Sequence, residues 1–281
     1  MLGHLSALVA AAIWAYSILV YKDLSIKENP LVINIWRLTA SSIFLILICI
    51  LTTGLNPSIG YLYAALSGAL VLALGDSLYF YGSVYAGAAV SAPIVYTYIV
   101  LIQLASVIVG EELTLNKIVA SVMCFIAIFL LTRKRRTMKR KEQFSKGILC
   151  SIGCAILWVI GQTVLKPAVF FSSFLEVTFI RSLCGLFTLV ILAYSLKINV
   201  ELFERRKQSK LFGFGILDIG IGALLYIFAI SEIGLGNTVI LVSISPLLTQ
   251  FFANITGREK VTLLEMFSAI IIFLAITICV I

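Results

Sequence analysis

The sequence predicts an all-α polytopic membrane protein with ten transmembrane helices arranged as two inverted five-helix repeats. Composition, apolar runs of span length, and an internal repeat carry that expectation. Of 281 residues, 61% are apolar and 12% charged, whereas a soluble domain holds about 45–50% and about 25%. Mean hydropathy is +1.12. A water-soluble enzyme is excluded on these grounds, and so is disorder, which needs low hydrophobicity.

A helix crosses hydrocarbon in about 20 apolar residues, because its backbone hydrogen bonds close within the segment. Runs of this kind lie at about 3–21, 31–51, 61–82, 88–109, 115–132, 147–165, 174–196, 211–230, 235–255 and 262–281. The tightest expected turns are Ala86–Gly87 and Gly234–Gly236. The first run has no basic segment before it and is followed by others like it, so it reads as a span and not a cleaved signal peptide.

The chain also matches itself at a shift of 144 residues. Gly3, Leu5, Ala11, Trp14, Val20, Lys22, Leu31, Arg37 and Leu45 face Gly147, Leu149, Ala155, Trp158, Val164, Lys166, Leu175, Arg181 and Leu189 without a gap. Trp and Arg are rare in this chain, so their coincidence is the informative part. Further on the shift drifts to about 147, where Gly75, Leu78, Tyr79 and Gly87 meet Gly222, Leu225, Tyr226 and Gly234. Residues 1–132 and 147–281 are therefore expected to be two five-helix units joined by a linker at 133–146. An odd number of spans sends the second unit into the membrane from the opposite face, the arrangement by which transporters alternate access to a midplane site.

Orientation follows from the basic residues. Loops after spans 1, 3, 5, 7 and 9 hold 17 Lys and Arg, and the other face holds two, Lys117 and Lys166. Basic short loops mark the cytoplasmic side, which predicts a multi-pass plasma-membrane protein with loops 133–146 and 197–210 cytoplasmic and both termini external. The segment 133–146 reads first as an orientation anchor and second as a surface for anionic lipid. The net charge of +8 is thus explained by topology. Nucleic acid is not expected as a partner, since no groove-reading module accompanies the charges.

Ionisable side chains inside a bilayer are costly and default to functional candidates. Four lie well inside the spans: Arg37, Asp76, Arg181 and Asp218. Arg37, Asp76 and Asp218 share a depth of roughly 10 Å from the cytoplasmic side at about 1.5 Å per residue, which predicts a compensating cluster. An Asp that gains a proton when its Arg moves away would couple transport to protons. Arg181 falls near the opposite face, with Glu176 and Glu232 as available acids. Trp14 and Trp158 at mid-depth suggest a lined cavity, completed by Tyr79, Tyr96, Gln162, Tyr226 and Ser245 as polar groups in an apolar wall; Tyr81, Tyr98, Gln103, Ser243, Gln250 and Asn254 are further donors and acceptors. Pro93 and Pro246 are expected to loosen their helices.

Six cysteines all fall in apolar runs and read as small core residues. His4 is the sole histidine, so no catalytic pair, metal site or cofactor is expected, and no phosphate-binding Gly-x4-Gly-Lys-Ser/Thr is present.

The repeated glycine–aliphatic–Trp pattern in spans 1 and 6, the Arg early in spans 2 and 7, and Gly-Glu-Glu-Leu-Thr at 110–114 echoed by Gly-Arg-Glu-Lys-Val-Thr at 257–262 resemble the EamA family of the drug/metabolite transporter superfamily over essentially the whole chain. That resemblance implies a basket in which spans 1–4 and 6–9 surround a cavity while spans 5 and 10 are peripheral. It also implies a carrier of amino acids, other metabolites or drugs, usually an exporter; the duplication within the chain supplies both halves, so a monomer is expected to suffice. Relatives are commonly drawn with both termini in the cytoplasm, a departure from the charge count here. An intramembrane enzyme, a channel and a non-transporting scaffold are the rival classes.

Overall fold

A computed structural model describes residues 1–52, 54–102, 114–133 and 141–280. Gln103, the 110–113 part of the first Gly-Glu-Glu-Leu-Thr motif, and residues 134–140 of the basic linker lie outside the described residues. Among the described residues all regular structure is helical. Helix α1 spans Leu2–Ser25. Helix α2, Pro30–Leu51, starts where Pro30 occupies the first turn and the Asn29 side chain accepts from Leu31 N–H, a pairing of fixed φ and side-chain cap that suits a helix start. Helix α3, Gly60–Ala86, widens to π-helix over Gly68–Gly75.

Helix α4, Ala88–Ile102, follows after Gly87, whose φ of 90° turns the chain sharply where only glycine is unstrained. Helix α5 is Leu115–Arg133. Helices α6 (Lys141–Thr163) and α7 (Leu165–Phe171) form one long apolar rod. Helix α8, Phe174–Ser195, opens with a capping box in which Ser173 and Glu176 satisfy each other's backbone N–H groups. Helix α9, residues 205–233, is π-helical over Ile216–Ala223 and ends at Gly234, φ 79°. Helix α10, residues 235–255, breaks at 243–244 and resumes with Pro246 in its first turn. Helix α11 is Leu263–Val280.

Six helices among the described residues are long and apolar enough to cross a membrane: Leu2–Ser25, Pro30–Leu51, Gly60–Ala86, Glu142–Phe171, Phe174–Ser195 and Arg205–Leu235. The fourth expected span, 88–109, is described only as far as Ile102, and those at 115–132 and 262–281 contribute shorter apolar helices. The sixth and eighth spans are longer than their apolar runs indicated. Pro246, expected to loosen its helix, sits in the first turn of a segment that restarts after a break at 243–244.

The helices cross between the two halves of the chain. Helix α1 packs on α9 from Leu224 onward, and α6 packs on the Asp76–Ala86 part of α3. Helix α2 packs on α8 and on the π-segment of α9, while α8 packs on the π-segment of α3. Helices α5 and α11 pack on each other. Small residues permit these close crossings, as in membrane helices generally: Ala7, Ala10, Ala11 and Ala15 are fully buried along α1, and Ser41 and Ser42 meet Ser182 across the α2–α8 contact at 2.6 and 2.9 Å.

Four glycines in or beside the π-segments work in corresponding pairs. A Cβ at Gly68 would strike the backbone of Arg181, and one at Gly215 would sit 2.5 Å from the Arg37 carbonyl oxygen. Likewise a Cβ at Gly75 would lie 2.7 Å from Trp158 Nε1, and one at Gly222 3.1 Å from Trp14 Nε1. Each half thus lays a glycine edge against the Arg and the Trp of the other.

Candidate functional site

The cavity at the centre of the bundle is built from these crossings. Arg37 projects from α2 and is 4% exposed. Its Nη1 donates to Asp76 Oδ2 at 2.7 Å and to Asn34 Oδ1 at 3.0 Å, and its Nε donates to Asp218 Oδ2 at 2.5 Å. The guanidinium lies over the rings of Tyr21 and Phe80, 5.3 Å from each centroid, a stacked setting that suits its planar charge. Asp218 stands inside the π-segment of α9, and Asp76 is the first residue after that of α3. Asn34, one helical turn before Arg37, donates to the Leu72 carbonyl at 2.8 Å and to Ser77 Oγ at 3.1 Å, tying the cluster to the widened turns. Sequence reasoning passed over Asn34. A lone amide on the same face as Arg37 was the available signal.

The two tryptophans bind this cluster unequally. Trp158 Nε1 donates to Asp76 Oδ1, a side-chain oxygen, at 3.2 Å, while Trp14 Nε1 donates to the backbone oxygen of Asp218 at 3.2 Å. Trp158 also makes edge-to-face contacts with Tyr79, Tyr96 and Tyr98 at 6.1, 6.1 and 5.2 Å between centroids. Trp14 lies 5.2 Å from Tyr226.

All seven residues expected to line a cavity, Trp14, Tyr79, Tyr96, Trp158, Gln162, Tyr226 and Ser245, line this one, and so do Arg37, Asp76, Arg181 and Asp218. Its volume is about 60 Å³, room for roughly four waters at about 15 Å³ each. The structure corrects the expectation for Arg181. Glu176 is held by the Asn56 N–H at 2.7 Å, the Tyr61 hydroxyl at 2.6 Å and Ser173, and Glu232 is exposed, so neither pairs with Arg181. Among the described residues Arg181 has no ion-pair partner, and its Nε has no acceptor, although the residue is 3% exposed. Other expected donors serve the scaffold instead: Tyr81 donates to Asn29 Oδ1, Gln250 bridges the carbonyls of Ala89 and Glu265, and Asn254 is exposed.

Both ends of the bundle are fastened by polar contacts. Where α1 ends, Lys22 pairs with Glu259 at 2.5 Å and Arg258 with Asp23 at 3.1 Å, and Lys207 of α9 pairs with Glu28 at 2.5 Å. Glu259 also accepts from the N–H groups of Ala88 and Ala89 at 2.7 and 3.0 Å, where the start of α4 carries partial positive charge. At the opposite end, Glu176 holds the 56–61 loop and Ser58 meets Ser172 at 2.6 Å. The described residues contain no cluster of His, Cys, Asp or Glu able to hold a metal.

Long apolar helices around a small charged and aromatic cavity define a multi-pass membrane protein. The chain belongs to the EamA-like transporter family, whose model matches residues 1–133 and 145–281. It is similar to an uncharacterized transporter of Archaeoglobus fulgidus, with 22% identity over 98% of this chain and 97% of the relative. A solved structure described only as the crystal structure of a protein shares the fold, with a TM-score of 0.68 at 17% identity over 98% of this chain and 95% of that one.

Proposed function

We propose that the chain is a secondary carrier that moves a small organic solute, an amino acid or similar metabolite or a drug, by alternating access, and that it works as an exporter in the plasma membrane. The observation that carries this reading is the central cavity, in which ionisable side chains from both halves meet at bilayer depth, where charge without function is expensive. In this reading helices part to admit the metabolite, as a carrier's do and a standing pore's need not.

In this reading residues 1–132 and 147–281 are inverted five-helix repeats giving ten spans, with 133–146 as their basic linker. The paired contacts of Gly68 with Arg181 and Gly215 with Arg37, and of the two glycine–tryptophan pairs, support it, because inversion about a central axis produces each contact twice. The charge count supports cytoplasmic loops at 133–146 and 197–210 and external termini. The ion pairs of Lys22, Arg258 and Lys207 then form the cytoplasmic gate, and Glu176 with the 56–61 loop the external one. Asp76 and Asp218 carry the coupled proton, anionic lipid meets the 133–146 segment, and a monomer suffices.

The test is solute counterflow into proteoliposomes containing the purified chain. Saturable counterflow, lost in W14A and W158A, is expected. Flux that rises linearly with concentration points to a channel, and no flux for any amino acid, nucleoside, polyamine or cationic dye overturns the carrier reading.

A further inference from the structure

We propose that Arg181 holds the carboxylate of the transported solute, and that the solute is a small zwitterion whose ammonium faces the Arg37–Asp76–Asp218 cluster. The inference rests on the carrier reading above and names its substrate class. It starts from the distribution of charge. With both carboxylates ionised, Arg37, Asp76 and Asp218 carry a net charge of −1 and satisfy one another through 2.7 and 2.5 Å contacts. Arg181 lines the same cavity with a charge of +1 and no ion-pair partner among the described residues. Asp76 is the acid whose field reaches it, without ion-pair contact. The cavity is therefore bipolar, with an anionic pole toward the end where α1 finishes and a cationic pole toward the end where it starts.

A second observation points the same way. Buried polar atoms without partners are rare in folded proteins and call for an explanation where they occur. Here three line one cavity: Arg181 Nε, Gln162 Oε1 and Ser17 Oγ. The arginine offers only donors, which suits a carboxylate, and the acids at the other pole suit an ammonium. Arg181 is also held in place. Its backbone abuts Gly68, and the next residue, Ser182, is bonded to Ser41 and Ser42, so the guanidinium is presented by a fixed segment of α8. A cationic drug would meet an uncompensated arginine at this pole and lose by repulsion what the acids offer.

The experiment measures thermal stabilisation of the detergent-purified full chain, wild type and R181Q, by L-leucine, L-phenylalanine and 5-aminopentanoate. Each is matched with its decarboxylated amine (isopentylamine, phenethylamine, butylamine) and its deaminated acid (4-methylpentanoate, 3-phenylpropionate, pentanoate). Stabilisation rises with ligand concentration over Kd, so affinities follow from titration. At least one zwitterion is expected to bind the wild type, its acid more weakly, and its amine not at all. R181Q should weaken the zwitterion about 10- to 100-fold, the usual worth of a hydrogen bond to a charged group, while R181K retains part of the affinity. R181Q removes an unpaired buried charge and is expected to fold; its unpaired melting temperature checks this, and R181M is the second variant should it not. Binding of an amine equal to its zwitterion, unchanged binding in R181Q, or no binding by any zwitterion or acid overturns the proposal. Counterflow separates the two readings: saturable flux of a cationic dye leaves the carrier standing while this proposal fails, and absence of flux for every compound removes both.

Discussion

Arg37 and Arg181 occupy corresponding places in the two halves, each against a glycine of the opposite half, yet their surroundings differ sharply. Arg37 is fully engaged, with two carboxylates, an amide oxygen and two aromatic faces. Arg181 is as deeply buried and has none of these among the described residues. The difference lies in the acids. Asp76 and Asp218 both reach the pole of Arg37, whereas Glu176, the acid nearest Arg181 in sequence, is spent on capping α8 and holding the 56–61 loop. One arginine pins the bundle, and the other is left without an ion-pair partner among the described residues.

The sharpest way to break that comparison is Arg37→Gln. It leaves two buried carboxylates facing each other without a cation, and removing one partner of a buried ion pair costs about 3–5 kcal/mol. Arg181→Gln should cost nothing or raise stability, because it removes an uncompensated charge. Thermal unfolding of both variants in one detergent checks the contrast, and equal losses would make the two arginines alike. Next in size are Gly68→Ala and Gly215→Ala. Each added methyl meets backbone across a helix contact, and forced overpacking typically costs about 1–3 kcal/mol; similar losses for the pair are expected, read by the same melting assay, and a large loss in only one half would argue against equivalent roles.

Trp158→Phe and Trp14→Phe should differ more modestly. The first removes a hydrogen bond to a carboxylate, worth about 1.5–3 kcal/mol, and the second one to a neutral carbonyl, worth about 1 kcal/mol. Unfolding free energies that rank the other way would contradict the assignment of Trp158 to Asp76. The smallest effect on stability is expected from Asp76→Asn and Asp218→Asn measured one at a time, since Arg37 keeps one carboxylate in each. Their informative readout is functional: counterflow in a pH gradient should lose its gradient dependence in both, and retention of normal dependence would dismiss them as proton carriers.

Much of the site was legible in the sequence because charge and indole are rare in an apolar chain. Depth along a helix follows from residue count, so the convergence of Arg37, Asp76 and Asp218 could be anticipated from span boundaries alone. Trp14 and Trp158 were legible by their repetition. The partner of Arg181 was misjudged because a side chain five residues away was treated as available, when capping and a loop 115–120 residues distant had already claimed it. The π-helical segments left no periodic signature; they show only in the backbone, where a wider turn lets Asp218 and the residues around Asp76 face inward.

By itself the sequence determined that the chain is helical and membrane-embedded, where its polar exceptions stand, and that its Trp and Arg recur at a shift of 144 while Asp76 and Asp218 do not. These follow from local physics, the cost of exposing backbone and charge to hydrocarbon. Tertiary structure decided which of those exceptions satisfy one another. Hydrogen bonds and ion pairs depend on distances between helices that are far apart in the chain, so only the packing of α2 and α8 on opposite π-segments left one arginine paired and the other without an ion-pair partner among the described residues.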